Sequence, residues 1–132
     1  MAVYINNKHP KVKLPKKPLM ELAKEVLKGE GARGDVSVVL VDDATISELN
    51  QKYHRRRGPT DVLSFPFDHQ ELLGDIFISL DTARRQAREY GHNLTREVRL
   101  LLIHGILHLC GYDDQDEESK RRMRARENFY LK

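Results

Sequence analysis

The most informative stretch of the sequence reads His104-Gly105-Ile106-Leu107-His108-Leu109-Cys110-Gly111-Tyr112-Asp113-Asp114. It continues an apolar run that begins at Val98, and this run predicts a helix. His104 and His108 are four residues apart, so their side chains leave the same helix face with Cβ atoms about 5–6 Å apart. Two imidazoles at this spacing can bind one metal ion. The stretch therefore predicts a metal site of the kind that activates water.

The end of the stretch offers a third ligand. Gly111 permits the left-handed backbone that reverses the chain after a helix. Asp114 then comes within reach of the two rings, and Asp113 is its near competitor. Either aspartate could instead cap the next helix, and either histidine could be a hydrogen-bonded core residue. We interpret His104, His108 and Asp114 as the ligands of one Zn²⁺ ion that keeps an open position for water.

The residue after the first histidine disfavours a protease. Metalloproteases of the His-Glu-x-x-His type carry their general base at that position, whereas this chain has Gly105. Phosphodiester hydrolysis depends less on such a base, because the metal activates water and polarises a phosphoryl oxygen. An arginine in the pocket can then stabilise the transition state.

The rest of the sequence predicts one small domain, residues 1–132, of the α+β class. Segments of strand and helix periodicity follow in the order βαβαββααα, which is typical of a four-stranded mixed sheet packed with about five helices. The strands are predicted at 2–6, 36–41, 61–65 and 74–79, and the helices from about Pro18, Asp42 or Asp43, Ser79 or Asp81, Thr95 and Asp116. The second strand is almost continuously apolar and is therefore expected to be central. A polar stretch, Asp68 to Glu71, separates the third and fourth strands.

Composition and charge limit the possible partners. The 132 residues are 39% hydrophobic, which indicates a globular chain, and the formal net charge is +3. Each basic cluster alone is ordinarily a solvated face, but several together favour a phosphate-rich partner. The clusters are Lys8 to Lys17, Arg55 to Arg57, Arg84 to Arg88, and Lys120 to Arg126.

Targeting signals are not evident in the sequence. Cys110 is the single cysteine, so no intrachain disulfide is possible. The first twenty residues lack the apolar core of a signal peptide, and no apolar run approaches the roughly 20 residues of a membrane span. We therefore expect a cytoplasmic protein without a membrane partner.

Three motifs, in order, resemble the YbeY family of bacterial metal-dependent endoribonucleases. They are His104-Gly-x-Leu-His108-Leu-x-Gly111-Tyr112-Asp113, Pro59-Thr60-Asp61-Val62-Leu63-Ser64-Phe65-Pro66 and Leu73-Gly74-Asp75-Ile76, and Leu49-Asn50 followed by Tyr53 also fits. The resemblance implies a compact α+β fold and a zinc held by a His-x-x-x-His-x-x-x-x-x-His pattern. It also implies single-strand-specific RNA cleavage in ribosomal RNA maturation, including the 3′ end of 16S rRNA, and in ribosome quality control. The partners it implies are RNA and the ribosome, and no DNA is expected.

Two positions depart from the family pattern. The third histidine of the family falls on Asp114, and its extra negative charge should make a bound water less acidic and let harder metals compete. A functional arginine of the family, five residues before the proline of the Pro-Thr motif, falls on His54, with Arg55 next to it. We expect Arg55 or a protonated His54 to stabilise the phosphate, and we take both as catalytic.

Two other functions remain open. One is a non-enzymatic RNA-binding or ribosome-binding module whose metal is structural, which would require a fourth ligand such as Cys110 or Asp113. The other is a metal hydrolase that acts on a peptide or a small molecule.

Overall fold

The computed structural model describes residues 2–67 and 71–131, so residues 68–70 of the polar connection lie outside the described residues. The elements are β1 (Val3–Asn7), α1 (Lys16–Gly29), β2 (Asp35–Val41), α2 (Asp43–His54), β3 (Val62–Pro66), β4 (Leu72–Ser79), α3 (Leu80–Tyr90), α4 (Leu94–Leu109) and α5 (Glu117–Leu131). Their order confirms the predicted βαβαββααα pattern. The observed boundaries lie within two residues of the predicted ones, as is usual for the ends of helices and strands.

The four strands form one mixed sheet in the order β1-β2-β4-β3. β1, β2 and β4 run parallel, and β3 pairs antiparallel with β4 at the edge. Val38 of β2 pairs with Ile5 on one side and Ile76 on the other. β2 is therefore an inner strand, as its apolar run predicts, and the whole chain forms a single compact α+β domain.

Asp42 and Ser79 are the residues that cap α2 and α3, where the sequence left two candidates for each helix. Asp42 caps α2 by accepting a hydrogen bond from the N–H three residues on, at 2.9 Å, and Ser79 caps α3 in the same way at 3.2 Å. The competing residues have other partners. Asp43 accepts from the hydroxyl of Ser79, and Asp81 is hydrogen-bonded to His9.

α4 is the most enclosed helix of the fold. It packs against α1, α3, α5 and the strands β3 and β4. Full burial of a large aliphatic side chain stabilises a fold by about 1.5–3 kcal/mol, so this helix is firmly held. Its buried apolar residues are Val98, Leu101, Leu102, Ile103, Ile106, Leu107 and Leu109. His104 and His108 are only half-buried, and they share the face of α4 that reaches the surface.

The other face of the sheet carries a smaller apolar cluster beneath α2. Ile46 of α2 packs there with Val41 and Leu63, and Phe65 joins at the margin. This packing brings the end of α2 beside the edge strand β3, so that the ring of His54 stacks on Phe65 with 5.7 Å between centroids. Within the described ranges, no helix combines the length and the apolar character needed to cross a membrane.

Candidate metal centre

The structure brings the three predicted metal ligands together. The Nε2 atoms of His104 and His108 lie 3.0 Å apart, and Asp114 Oδ2 lies 4.0 Å from His104 Nε2. One ligand atom from each residue lies within 4.8 Å of the other two. A rigid helix fixes the two rings, and the turn after it supplies the carboxylate.

The turn after α4 distinguishes between the two aspartates. Gly111 has a φ of 101°, which a residue with a side chain rarely adopts, and the chain reverses there. Asp113 Oδ1 accepts a hydrogen bond from the N–H of Gln115 at 3.3 Å, so this carboxylate is engaged with its own loop. Asp114 is half-exposed and lies with the histidines. The geometry therefore favours Asp114 as the third ligand.

Glu127 of α5 contacts the site and was not found from the sequence. Its Oε2 lies 2.5 Å from Nδ1 of His104. An ionised carboxylate can only accept, so Nδ1 carries the proton and Nε2 presents its lone pair toward His108 and Asp114. A carboxylate behind the ring is the usual partner of a metal-binding histidine. Twenty-three residues separate the pair, and no local pattern marks this glutamate within the basic run of α5.

The charges at the site shift the two histidines in opposite directions. Burial alone would lower the pKa of His104, but the hydrogen bond and the charge of Glu127 outweigh it, so that the pKa is raised. Burial and the neighbouring His104 lower the pKa of His108. Two imidazole lone pairs 3.0 Å apart repel each other unless a proton or a cation lies between them. Nitrogen ligands of a tetrahedral zinc lie about 3.3–3.4 Å apart, so the donor set fits such an ion.

The three predicted ligands lie at a surface cavity of about 520 Å³ between α2, β3 and α4. Its lining residues are Asn50, His54, Arg56, Thr60, Asp61, Val62, Leu63, Ser64, Pro66, His104, His108 and Asp114. The Pro-Thr-Asp motif and the metal helix, which are distant in sequence, therefore line the same cavity.

The two predicted catalytic residues differ in their relation to this cavity. His54 lines it, whereas the exposed Arg55 is not among the lining residues and Arg56 is. Arg55 ends α2 in the left-handed conformation, with φ 55°, and the next residue lines the cavity. Asn50 is buried and donates to the carbonyl of Gly58 at 3.1 Å, which ties down the basic loop. Sequence reasoning overlooked Arg56, although it belongs to the cluster already noted.

Gly105 has a packing reason that the sequence alone does not reveal. A Cβ atom at this position would lie 2.9 Å from Ile76 Cγ2 and 3.2 Å from Ser64 Oγ. A glutamate in place of Gly105 would therefore require the Ile76 side chain or the helix backbone to shift. The hydroxyl of Ser64 donates to the carbonyl of Gly105 at 3.2 Å, so this serine serves the same close contact.

Cys110 and Asp113 do not complete a four-ligand site. Burial and the nearby charge of Glu30 raise the pKa of the Cys110 thiol to about 11, and Cys110 does not belong to the converging group. Among the described residues, the converging group consists of His104, His108 and Asp114. A set of three protein ligands is typical of catalytic rather than structural zinc sites.

A helix that aims two histidines and a following aspartate into one cavity is typical of metal-dependent hydrolases. A family model described as Endoribonuclease YbeY matches residues 4–132. An Endoribonuclease YbeY of Pelotomaculum thermopropionicum is 48% identical, with 86% of this chain and 82% of the relative covered. One from Desulforamulus reducens is 40% identical, with 99% and 95% covered. The chain therefore belongs to the YbeY family of endoribonucleases, hydrolases that cleave RNA phosphodiester bonds, and the resemblance is confirmed.

A solved structure supports the same assignment of the fold. The solution structure of a Thermotoga maritima protein superposes with a TM-score of 0.73 at 32% sequence identity. The match covers 98% of this chain and 86% of the other. The predicted α+β class with a four-stranded mixed sheet is thus confirmed by the architecture and by this neighbour.

Proposed function

We propose that this protein is a metal-dependent, single-strand-specific endoribonuclease in which His104, His108 and Asp114 hold one metal ion. The observation that carries the proposal is the convergence of these three side chains at one cavity. Thr60 and Asp61 of the Pro-Thr-Asp motif line the same cavity. Membership of the endoribonuclease family supports the reaction class. The basic residues at the cavity rim suit a polyanionic substrate.

The metal that we propose is Zn²⁺. Two imidazoles and one carboxylate form a donor set found in catalytic zinc sites. When bound, the ion would polarise a phosphoryl oxygen and activate water. The carboxylate of Asp114 adds a negative charge that a third histidine would not, so Mn²⁺ or Mg²⁺ should compete better here than at a three-histidine site.

Other side chains would bind and orient the substrate. Glu127 holds the proton on Nδ1 of His104, so that Nε2 keeps its lone pair facing the cavity. His54 and Arg56 line the cavity and would attract a phosphate. The roles of His54 and Arg55 in catalysis stay predictions, and Arg56 joins them as a phosphate-binding residue.

The proposed biological substrate follows from membership of the endoribonuclease family. We infer that the substrate is ribosomal RNA, with the 3′ end of 16S rRNA as the expected site, and that the ribosome is a partner. Ribosomal RNA as substrate would place the protein in the cytoplasm. We also infer that residues 1–132 act as one endoribonuclease domain, which the match over residues 4–132 supports.

The proposal is tested with His108→Ala and, as a matched control, His92→Ala. His92 is hydrogen-bonded to Glu97 at the start of α4, away from the cavity. We expect His108→Ala to abolish both metal content and cleavage of a labelled single-stranded RNA, whereas the control should retain both. Cleavage by a metal-free His108→Ala protein would overturn the proposal. Metal spectroscopy that shows four protein ligands and no water would favour a structural metal instead.

A further inference from the structure

A second cavity reaches the metal ligands from the side of α5. Its volume is about 190 Å³, and no residue of the basic loop that follows α2 lines it. It is lined by Lys120, Met123, Arg124 and Glu127 of α5, together with His104 and Asp114. The proposed ligands His104 and Asp114 therefore border both cavities.

Two cations of α5 line this second cavity. Lys120 and Arg124 are exposed and lie one helical turn apart. Within residues 2–67 and 71–131, neither forms an ion pair at 4.0 Å or less. Arg126 of the same helix differs, because its guanidinium is paired with Glu30 at 2.5 Å. We call Lys120 and Arg124 the α5 basic face.

The basic surface continues along the helix beyond the metal ligands. A further cavity of about 300 Å³ is lined by Glu117, Lys120, Arg121, Arg124, Ala125 and Asn128. It shares Lys120 and Arg124 with the cavity at the ligands, so one surface passes from His104 and Asp114 outward along α5. Glu117 is the one carboxylate in that outer lining.

An endonuclease substrate continues on both sides of the bond that is cut. Each nucleotide carries a backbone phosphate, and cations along a groove are what a protein uses to hold a single strand without reading its sequence. Arg56 lines one of the two cavities that border the ligands, and the α5 basic face lines the other. A strand that crossed the ligands would therefore meet positive charge before and after the reacting phosphate.

We propose that the α5 basic face binds the phosphodiester backbone of single-stranded RNA on one side of the scissile bond, opposite Arg56. This inference rests on the proposed function, because it assumes that the reacting phosphate lies at the three ligands. Lys120 and Arg124 are binding residues in this scheme, so their loss should weaken binding more than it slows the chemical step. They contact the backbone rather than bases, so the effect should be similar for different RNA sequences.

The test uses the double variant Lys120→Gln/Arg124→Gln in the full chain. Each phosphate contact to a single strand contributes about 0.7 to the slope of log K against log salt, so we expect the slope to fall by about 1.4. At 0.15 M salt this corresponds to RNA binding that is weaker by about tenfold. KM should rise to a similar extent with kcat changed little, and metal content should stay the same.

The matched control is Arg84→Gln/Arg88→Gln on α3. This pair has the same four-residue spacing and the same charge, is exposed, and lines neither of the cavities at the ligands. We expect it to change the salt slope little. Lys120→Arg/Arg124→Lys keeps both charges and should bind RNA as the unchanged protein does, which separates lost charge from disturbed folding.

The outcomes separate this inference from the proposed function. Equal losses in the α5 and α3 variants, or an unchanged salt slope in the α5 variant, would overturn it. Bis(p-nitrophenyl) phosphate has no flanking nucleotides, so its hydrolysis should be equal in the α5 variant and the unchanged protein. A protein that binds RNA with the expected slopes but cleaves neither substrate would contradict the proposed function and leave the binding surface in place.

Discussion

Two histidine–carboxylate pairs in this molecule have similar bonds and different surroundings. His9 Nε2 lies 2.8 Å from Asp81, and His104 Nδ1 lies 2.5 Å from Glu127. The second nitrogen of His9 accepts backbone N–H groups from residues 11 and 12 at 3.1 and 3.0 Å. The second nitrogen of His104 instead faces His108 across 3.0 Å at a cavity. His104 can therefore bind a ligand through its second nitrogen, whereas the second nitrogen of His9 is already bonded to backbone N–H groups.

The His9–Asp81 pair holds segments of the fold together and lines neither of the cavities at the ligands. Asp81 also accepts the N–H of Asp43 at 2.9 Å, so one carboxylate ties the segment after β1 to the starts of α2 and α3. His9 is only 6% exposed. Its pair is therefore structural, whereas the His104 pair is open to the cavity.

The largest difference between the two pairs should come from removing each histidine. His104→Ala should lose metal and lower RNA cleavage on the order of 10³-fold or more, because the ion supplies several kcal/mol of transition-state stabilisation. His9→Ala should keep metal and cleavage but lower the free energy of unfolding by about 1–3 kcal/mol, since its partners lose their hydrogen bonds. Metal analysis, cleavage assays and urea titration measure the three quantities. Loss of metal in both variants would remove the distinction.

Replacing the carboxylate of each pair, Glu127 or Asp81, should change metal affinity by different amounts, but less than removing the histidines does. Glu127→Gln no longer fixes the proton on Nδ1 of His104, and loss of such a partner typically weakens metal binding by about 10–100-fold. Asp81→Asn is the control and should leave metal affinity unchanged while it destabilises the fold. Competition with a metal-binding dye gives both affinities. Equal affinity in Glu127→Gln and the unchanged protein would show that the contact is only structural.

Replacing the third ligand sharpens the comparison further. Asp114→His removes one negative charge from the proposed ligand set, so a water on the proposed zinc would become more acidic. The acid limb of the pH–rate profile should then move to lower pH, and preference for Zn²⁺ over Mn²⁺ should rise by about tenfold. Asp113→His is the control and should change neither quantity. A profile that is the same in all three proteins would exclude Asp114 as a ligand.

The smallest predicted effect is on the pH dependence of stability. It comes from Glu30, whose carboxylate accepts a hydrogen bond from Tyr112 in the turn after α4. Burial alone would raise the pKa of Glu30, but hydrogen bonds from Tyr130, Arg126 and Tyr112 outweigh it and lower the pKa below 4.5. A lowered carboxyl pKa stabilises the fold above the unfolded value, and this stability is lost as the pH falls through the folded pKa. The free energy of unfolding, measured between pH 6 and pH 3.5, should fall less steeply in Glu30→Gln than in the unchanged protein. Parallel curves would contradict this role.

The sequence by itself determined the metal helix and the order of the elements. A helix places residues four apart on one face whatever surrounds it, so His104 and His108 could be paired without a structure. Strand runs and turn residues likewise gave the α+β class, and the motif after the helix gave Asp114.

Only the tertiary structure brought the remaining parts of the site together. Glu127 lies 23 residues from His104 in sequence, and Ser64 lies 41 residues from Gly105. Arg56 rather than Arg55 lines the cavity, and Arg55 is the left-handed residue at the end of α2. These contacts depend on how helices pack on the sheet, and that packing is set by the shape of the whole core rather than by any local period of the sequence.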